Sequence, residues 1–113
     1  MLAAIEGTLQ LHDGCIWLIR QGGPMSLVVW PPGYSVAGAN GTVEVLDQDR
    51  HVEAAVGDQV RMIGGEWHQA TATRDIEHLI GRPVPAPCRA AVYWVGAVTE
   101  IVQRPVRFSG GRG

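Results

Sequence analysis

Tight-turn signals cut the first half of this chain at roughly eight- to ten-residue intervals, at Asp13-Gly14, Gly22-Gly23-Pro24, Pro32-Gly33 and Asn40-Gly41, and again after a longer gap at Gly57-Asp58. Asp, Asn and Gly tolerate the positive φ that two-residue hairpin turns demand. The stretches between such turns suit strands better than helices. Many short strands create many unpaired edges, and closing the sheet on itself removes them. A mainly β, barrel-like domain of roughly five to seven strands is therefore expected.

The runs between the turns fit. In "AIEGTLQLH", Ile5, Gly7, Leu9 and Leu11 alternate with Glu6, Thr8, Gln10 and His12, a period of two with one wet face. "CIWLIR" is apolar on both faces, as a central strand would be, and "SLVVW" follows. Val43 and Val45 come after the Asn40-Gly41 turn; Val52, Ala54 and Val56 precede Gly57-Asp58, and Val60 and Met62 follow it. The glycines of "RMIGGEW" predict a sharp turn out of that strand. "AAVYWVGAVTEIV" is the last strand, with Gly96 marking a bend or bulge.

One segment reads differently. In "TRDIEHLIG", Ile76, Leu79 and Ile80 share one helical face, Thr73 can cap the start, and Gly81 and Pro83 end it, so one short helix is predicted near residues 73–80. "RPVPAPC" should be an extended connector of polyproline geometry. The tail "RFSGGRG" should fray, giving a single domain over 1–108 and a flexible tail at 109–113. An oligonucleotide/oligosaccharide-binding (OB-like) barrel is the nearest familiar architecture, although its helix usually falls between strands three and four. A sandwich-like roll is the alternative.

With 113 residues, 46% of them apolar, the chain has room for one core. No apolar stretch approaches the ~20 residues of a membrane helix, so no membrane insertion is expected. "MLAAIEGTLQL" lacks a basic start and an unbroken apolar run. A cytoplasmic location is expected, or an envelope or secreted one if a leader has been removed. All nine basic residues are arginines. Residues 1–80 hold four of them against ten carboxylates, whereas residues 81–113 hold five against Glu100 alone. Arg104, Arg107 and Arg112 are thus candidate anion contacts, unless they simply balance the acidic body.

"GCIWL", "LVVWPPGYS", "VGDQVRMIGGE" and "CRAAVYWVG" resemble a small, functionally uncharacterised β domain of actinobacterial and related proteins, some of them envelope-associated. The resemblance covers most of residues 5–98, and the missing signal departs from the envelope versions. It implies a non-enzymatic β domain in which Cys15 and Cys88 are partners. By their own chemistry the two cysteines can form one disulfide, worth on the order of 4 kcal/mol for so long a loop. They can equally stay reduced as small core residues, the default for a chain without a leader.

Site chemistry is sparse. His12, Cys15, His68 and His78 have no zinc-ligand spacing. Ser26, Ser35 and Ser109 lack a nucleophile-elbow context, and Cys15 sits in a core strand where a thiol is inert. Glu66, His68, Glu77 and His78 could gather at one end of a barrel, although such loop clusters are more often a solvated face. No catalytic residue, metal or cofactor is expected, and "RMIGGEW", without lysine, is not a phosphate loop.

The aromatics carry the remaining signal. Trp17 and Trp94 are expected to plug the barrel with their indole N–H groups satisfied at the rim. Trp30, Tyr34 and Trp67 fall at strand ends and are the candidate rim patch for a ligand or partner. The expected function is a binding or interaction module that uses a barrel rim or edge to hold a protein partner or another copy of itself. The alternative is an OB-like single-stranded nucleic-acid binder, disfavoured by the net charge of −2.

Overall fold

The computed structural model describes residues 3–23, 25–39, 41–68 and 72–105; Arg107, Arg112 and the 109–113 tail lie outside the described residues. Strands dominate: β1 (Ala3–His12), β2 (Cys15–Ile19), β3 (Met25–Val29), β4 (Ser35–Ala39), β5 (Thr42–Leu46), β6 (Val52–Ala55), β7 (Gln59–Trp67) and β8 (Tyr93–Gln103). One helix, α1 (Ala72–Ile80), stands between β7 and β8. The turns fall where the residues ask for them. Asp13 (φ 54°) and Gly14 (φ 79°) close the β1–β2 hairpin with His12 opposite Cys15. The Ala39–Thr42 pair leaves a two-residue turn at 40–41, with Gly41 at φ 78°.

β4 is the strand that the sequence did not announce. "SVAGA" is small and weakly β-forming, and it is held by its pairing with β5.

Pairing sorts the strands into two sets. β1 pairs with β2, β2 with β3, β3 in parallel with β8, β8 with β7, and β7 again with β1, so the order β1-β2-β3-β8-β7 closes into a ring. β4, β5 and β6 form a separate antiparallel sheet. All five ring strands contribute to the enclosed core: Leu9, Ile16, Leu18, Val28, Val60, Met62 and Trp94, joined by Val45 and Ala54 from the second sheet.

The alternate residues of β2, β3 and β8 point the other way. Cys15, Trp17, Leu27, Val29 and Tyr93 form an outer cluster with Ile76 of α1 and Val84 of the connector. The helix and connector therefore roof one outer face of the ring. Cys15 and Cys88 lie at disulfide distance, Cα to Cα 5.7 Å, fastening the connector to β2.

Several expectations need correction. "RMIGGEW" makes no turn; β7 runs straight through it. Gly64 faces Gly96 in register, and a Cβ on Gly64 would stand 2.8 Å from the Gly96 Cα. The facing glycines let two backbones cross almost in contact. No bulge falls at Gly96; the register shifts come earlier, between Gln59 and Val60 and between Arg61 and Met62.

Trp94 is enclosed, but its indole N–H is buried without a hydrogen-bond partner, because aliphatic side chains surround it rather than the rim. Trp17 belongs to the outer cluster, and its N–H donates to the His12 carbonyl at 3.4 Å. Thr73 does not cap α1, which begins before it; its hydroxyl bonds the Tyr93 hydroxyl. Gly81 ends the helix as expected, at φ 74°, and the Gly81 and Arg82 N–H groups both donate to the Glu77 carbonyl. The connector is not extended throughout, because Ala86–Cys88 tighten into a 3-10 turn.

Candidate functional site

Beyond Val29 the chain meets Trp30, Pro31 and Pro32, which have little left to offer a ladder. Gly33 at φ 87° reverses it, and the Tyr34 N–H donates to the Pro31 carbonyl at 3.2 Å. The turn lays Tyr34 over Trp30, ring centroids 6.1 Å apart and planes 14° from parallel. Both rings are half-buried and pack against the enclosed core.

The Tyr34 hydroxyl is close enough to the Glu53 carboxylate, next to β5 on strand β6, for the two to interact. Burial first, then this contact, then the negative charges of Glu53 and Asp47 push the phenol up to about 12. The sequence offered no sign of Glu53, since the pairing crosses elements far apart in the chain.

Tyr34 leads directly into β4, which ends its sheet. Val36 pairs with Val45, and Val45 with Ala54; the last two are fully buried, whereas Val36 is 52% exposed. The apolar row thus runs out of the core and off the sheet edge. The aromatic stack adjoins a strand whose outer edge has no partner among the described residues.

Trp67 is elsewhere. It packs on the outer cluster and lines an open cavity of about 520 Å³ with Arg74, Asp75, His78 and Leu79. Trp30 and Tyr34 come together; Trp67 does not join them. The titratable cluster also divides. Glu66 pairs with Arg20 at 3.0 Å and lies 4.0 Å from His68, while Glu77 accepts the Val84 N–H at 2.7 Å and so secures the connector. Asp47, Asp49 and His51 bring possible ligand atoms together. The Asp47 carboxylate, however, accepts the N–H groups of Asp49 and His51 at 2.9 Å each, which shapes the turn from β5 to β6.

The charges of the ring close on themselves. Arg61 bridges Glu6 and Glu100 across β1, β7 and β8, and these carboxylates raise its pKa further. Arg104, a candidate anion contact, lies 3.4 Å from Asp58, a carboxylate 1% exposed that also accepts the Ala55 N–H. Among the described residues no helix is long and apolar enough to cross a membrane. Comparison with protein-family models, with curated proteins and with solved structures finds no match for this chain.

Proposed function

We propose that the chain is a small OB-like barrel serving as a non-enzymatic interaction module, which holds a protein partner or a second copy of itself at the Trp30–Tyr34 corner and the adjoining β4 edge. The strand order supports the barrel class. β7, β1, β2 and β3 stand in Greek-key order, a hairpin-connected trio with a later strand returning beside the first, and β8 fills the gap between β7 and β3. Three inserted strands separate β3 from β7, and the helix has moved to the connection before β8.

The observation that carries the interaction reading is the roof. An OB barrel takes oligonucleotides on the face of its second and third strands. Here that face of β2 and β3 is filled by Ile76, Val84 and the tethered connector. The accessible aromatic feature beside an open edge is the Trp30–Tyr34 stack. Arg104 spends its charge on Asp58, which weakens the nucleic-acid alternative further. Cys15 engaged with Cys88 is not available as a nucleophile. The pair also favours an oxidising compartment.

The test uses Trp30→Ala and Tyr34→Ala as baits beside the wild type in affinity capture from the native host, each checked for an unchanged circular dichroism spectrum. The captured partner should be lost from both. In parallel, labelled single-stranded oligonucleotides are titrated at several salt concentrations. Phosphate contacts by Arg104, Arg107 and Arg112 would give a log–log slope of roughly −0.7 per phosphate, flattened when the three become Gln. No salt-sensitive binding is expected. Micromolar binding at physiological salt that the Gln changes abolish would replace the interaction reading with the nucleic-acid one.

A further inference from the structure

We propose that β4 pairs antiparallel with β4 of a second copy about a two-fold axis at Ala37, joining two three-stranded sheets into one of six. The inference rests on the interaction-module reading and names its occupant.

The register follows from the hairpin. Ala39 and Thr42 close a two-residue turn, and such a closing pair exchanges both of its hydrogen bonds. Alternation then directs the backbone groups of Ala37 and Ser35 toward β5 and those of Val36 and Gly38 outward. Centring two copies on Ala37 sets each outward pair against its counterpart. Val36 faces the partner's Gly38 and Gly38 faces the partner's Val36, so four backbone hydrogen bonds form and none is left over.

Shape and charge agree with that pairing. Each exposed Val36 lies over a glycine with no side chain. Room is left there, since a Cβ on Gly38 would meet nothing nearer than the Thr42 carbonyl oxygen at 3.9 Å. "SVAGA" carries neither charge nor proline, the usual devices that keep edges apart. The carboxylate opposite Ala37 is Glu44, one strand back. Two copies of it would stand three strand spacings apart, about 14 Å, beyond the ~8 Å screening length of physiological salt.

The register also sets Tyr34, just before Ser35, beyond the partner's Ala39, so an aromatic stack flanks each end of the seam. Five paired residues span about 17 Å. A single strand-to-strand seam of that length is a small contact, of the weak and transient class rather than that of stable interfaces burying roughly 1,200 Å² or more, so the dimer should dissociate readily on dilution.

The experiment uses the full chain. Ala37→Cys should form a covalent dimer under mild oxidation, because residues facing across the axis in a non-hydrogen-bonded pair have Cα atoms about 4.5 Å apart. Ser35→Cys, which faces the partner's Ala39, should not self-link. Val36→Lys and Val36→Glu change a half-exposed position and leave the core alone. Each should weaken self-association at least tenfold in sedimentation velocity, and an equal mixture of the two should restore it.

Two results overturn the proposal: a wild type monomeric at hundreds of micromolar, or undiminished association of Val36→Lys. If the wild type is monomeric while Trp30→Ala still loses partner capture, the second-copy occupant falls and the interaction module stands. If capture is also indifferent to Trp30 and Tyr34, both fall.

Discussion

Breaking the Cys15–Cys88 link should remove about a third or more of the roughly 5–15 kcal/mol that stabilises a typical domain. The link closes a loop with a sequence separation of 73. In the chain-entropy treatment, a loop of that length removes about 15 cal/mol/K from the unfolded ensemble, about 4.5 kcal/mol at 25 °C. A chain of this length unfolds with an entropy of about 240 cal/mol/K near its midpoint, so the melting temperature should fall by roughly 15–20 °C.

The folded state has little reason to change. Cys15 is buried in the outer cluster with its sulfur toward the Asp13 carbonyl, and a thiol fits the same site. Scanning calorimetry of the wild type with and without a phosphine reductant reads the shift. Cys88→Ala, at the half-buried end, should reproduce it with Cys15 packing intact. A fall of less than about 3 °C, with reduction verified by mass, would refute the loop-entropy reasoning. Alkylation of two free thiols in untreated native protein would refute the link itself.

The facing glycines predict a sharp contrast. Gly64→Ala drives a methyl into the β8 backbone and should cost about 2–3 kcal/mol in denaturant melts. Gly38→Ala meets open space and should change stability by no more than about 0.5 kcal/mol. Ile76→Ala, under the roof, should cost about 2–4 kcal/mol, whereas Leu79→Ala, 56% exposed on the same helix, should cost little.

Spectrophotometric titration should find the Tyr34 phenol ionising near 12, and Glu53→Gln should bring it down toward its usual 10. The sign is set by the raised folded value. The stabilisation is complete below pH 10 and is lost as pH climbs through 12, so Glu53→Gln should narrow the stability gap between pH 9 and alkaline conditions. A titration identical in the variant would remove Glu53 from the account.

Local chemistry made half of this fold legible. A two-residue hairpin turn needs positive φ, and Asp13-Gly14 and Asn40-Gly41 announce it whatever the rest of the chain does, whereas Gly57-Asp58 marks a turn that carries the chain from one sheet to the other and closes no hairpin. The helix is legible for the same reason, since Ile76, Ile80 and Gly81 are read within two turns of one another. β4 escaped because its five residues have small side chains and little propensity; its conformation is imposed by β5.

The site divides along the same line. The sequence by itself determined that Trp30 and Tyr34 flank a hard corner, because two prolines and a glycine permit little else. Distance along the chain hid the remainder. The parallel β3–β8 pairing that closes the ring, the Gly64–Gly96 crossing, the Glu53 partner of Tyr34 and the roofing of Trp17 by α1 each join residues from separate elements. No local preference encodes such contacts. They form when burying both faces of β2 and β3 outweighs the loop entropy of bringing distant segments together, and that balance exists in the tertiary structure alone.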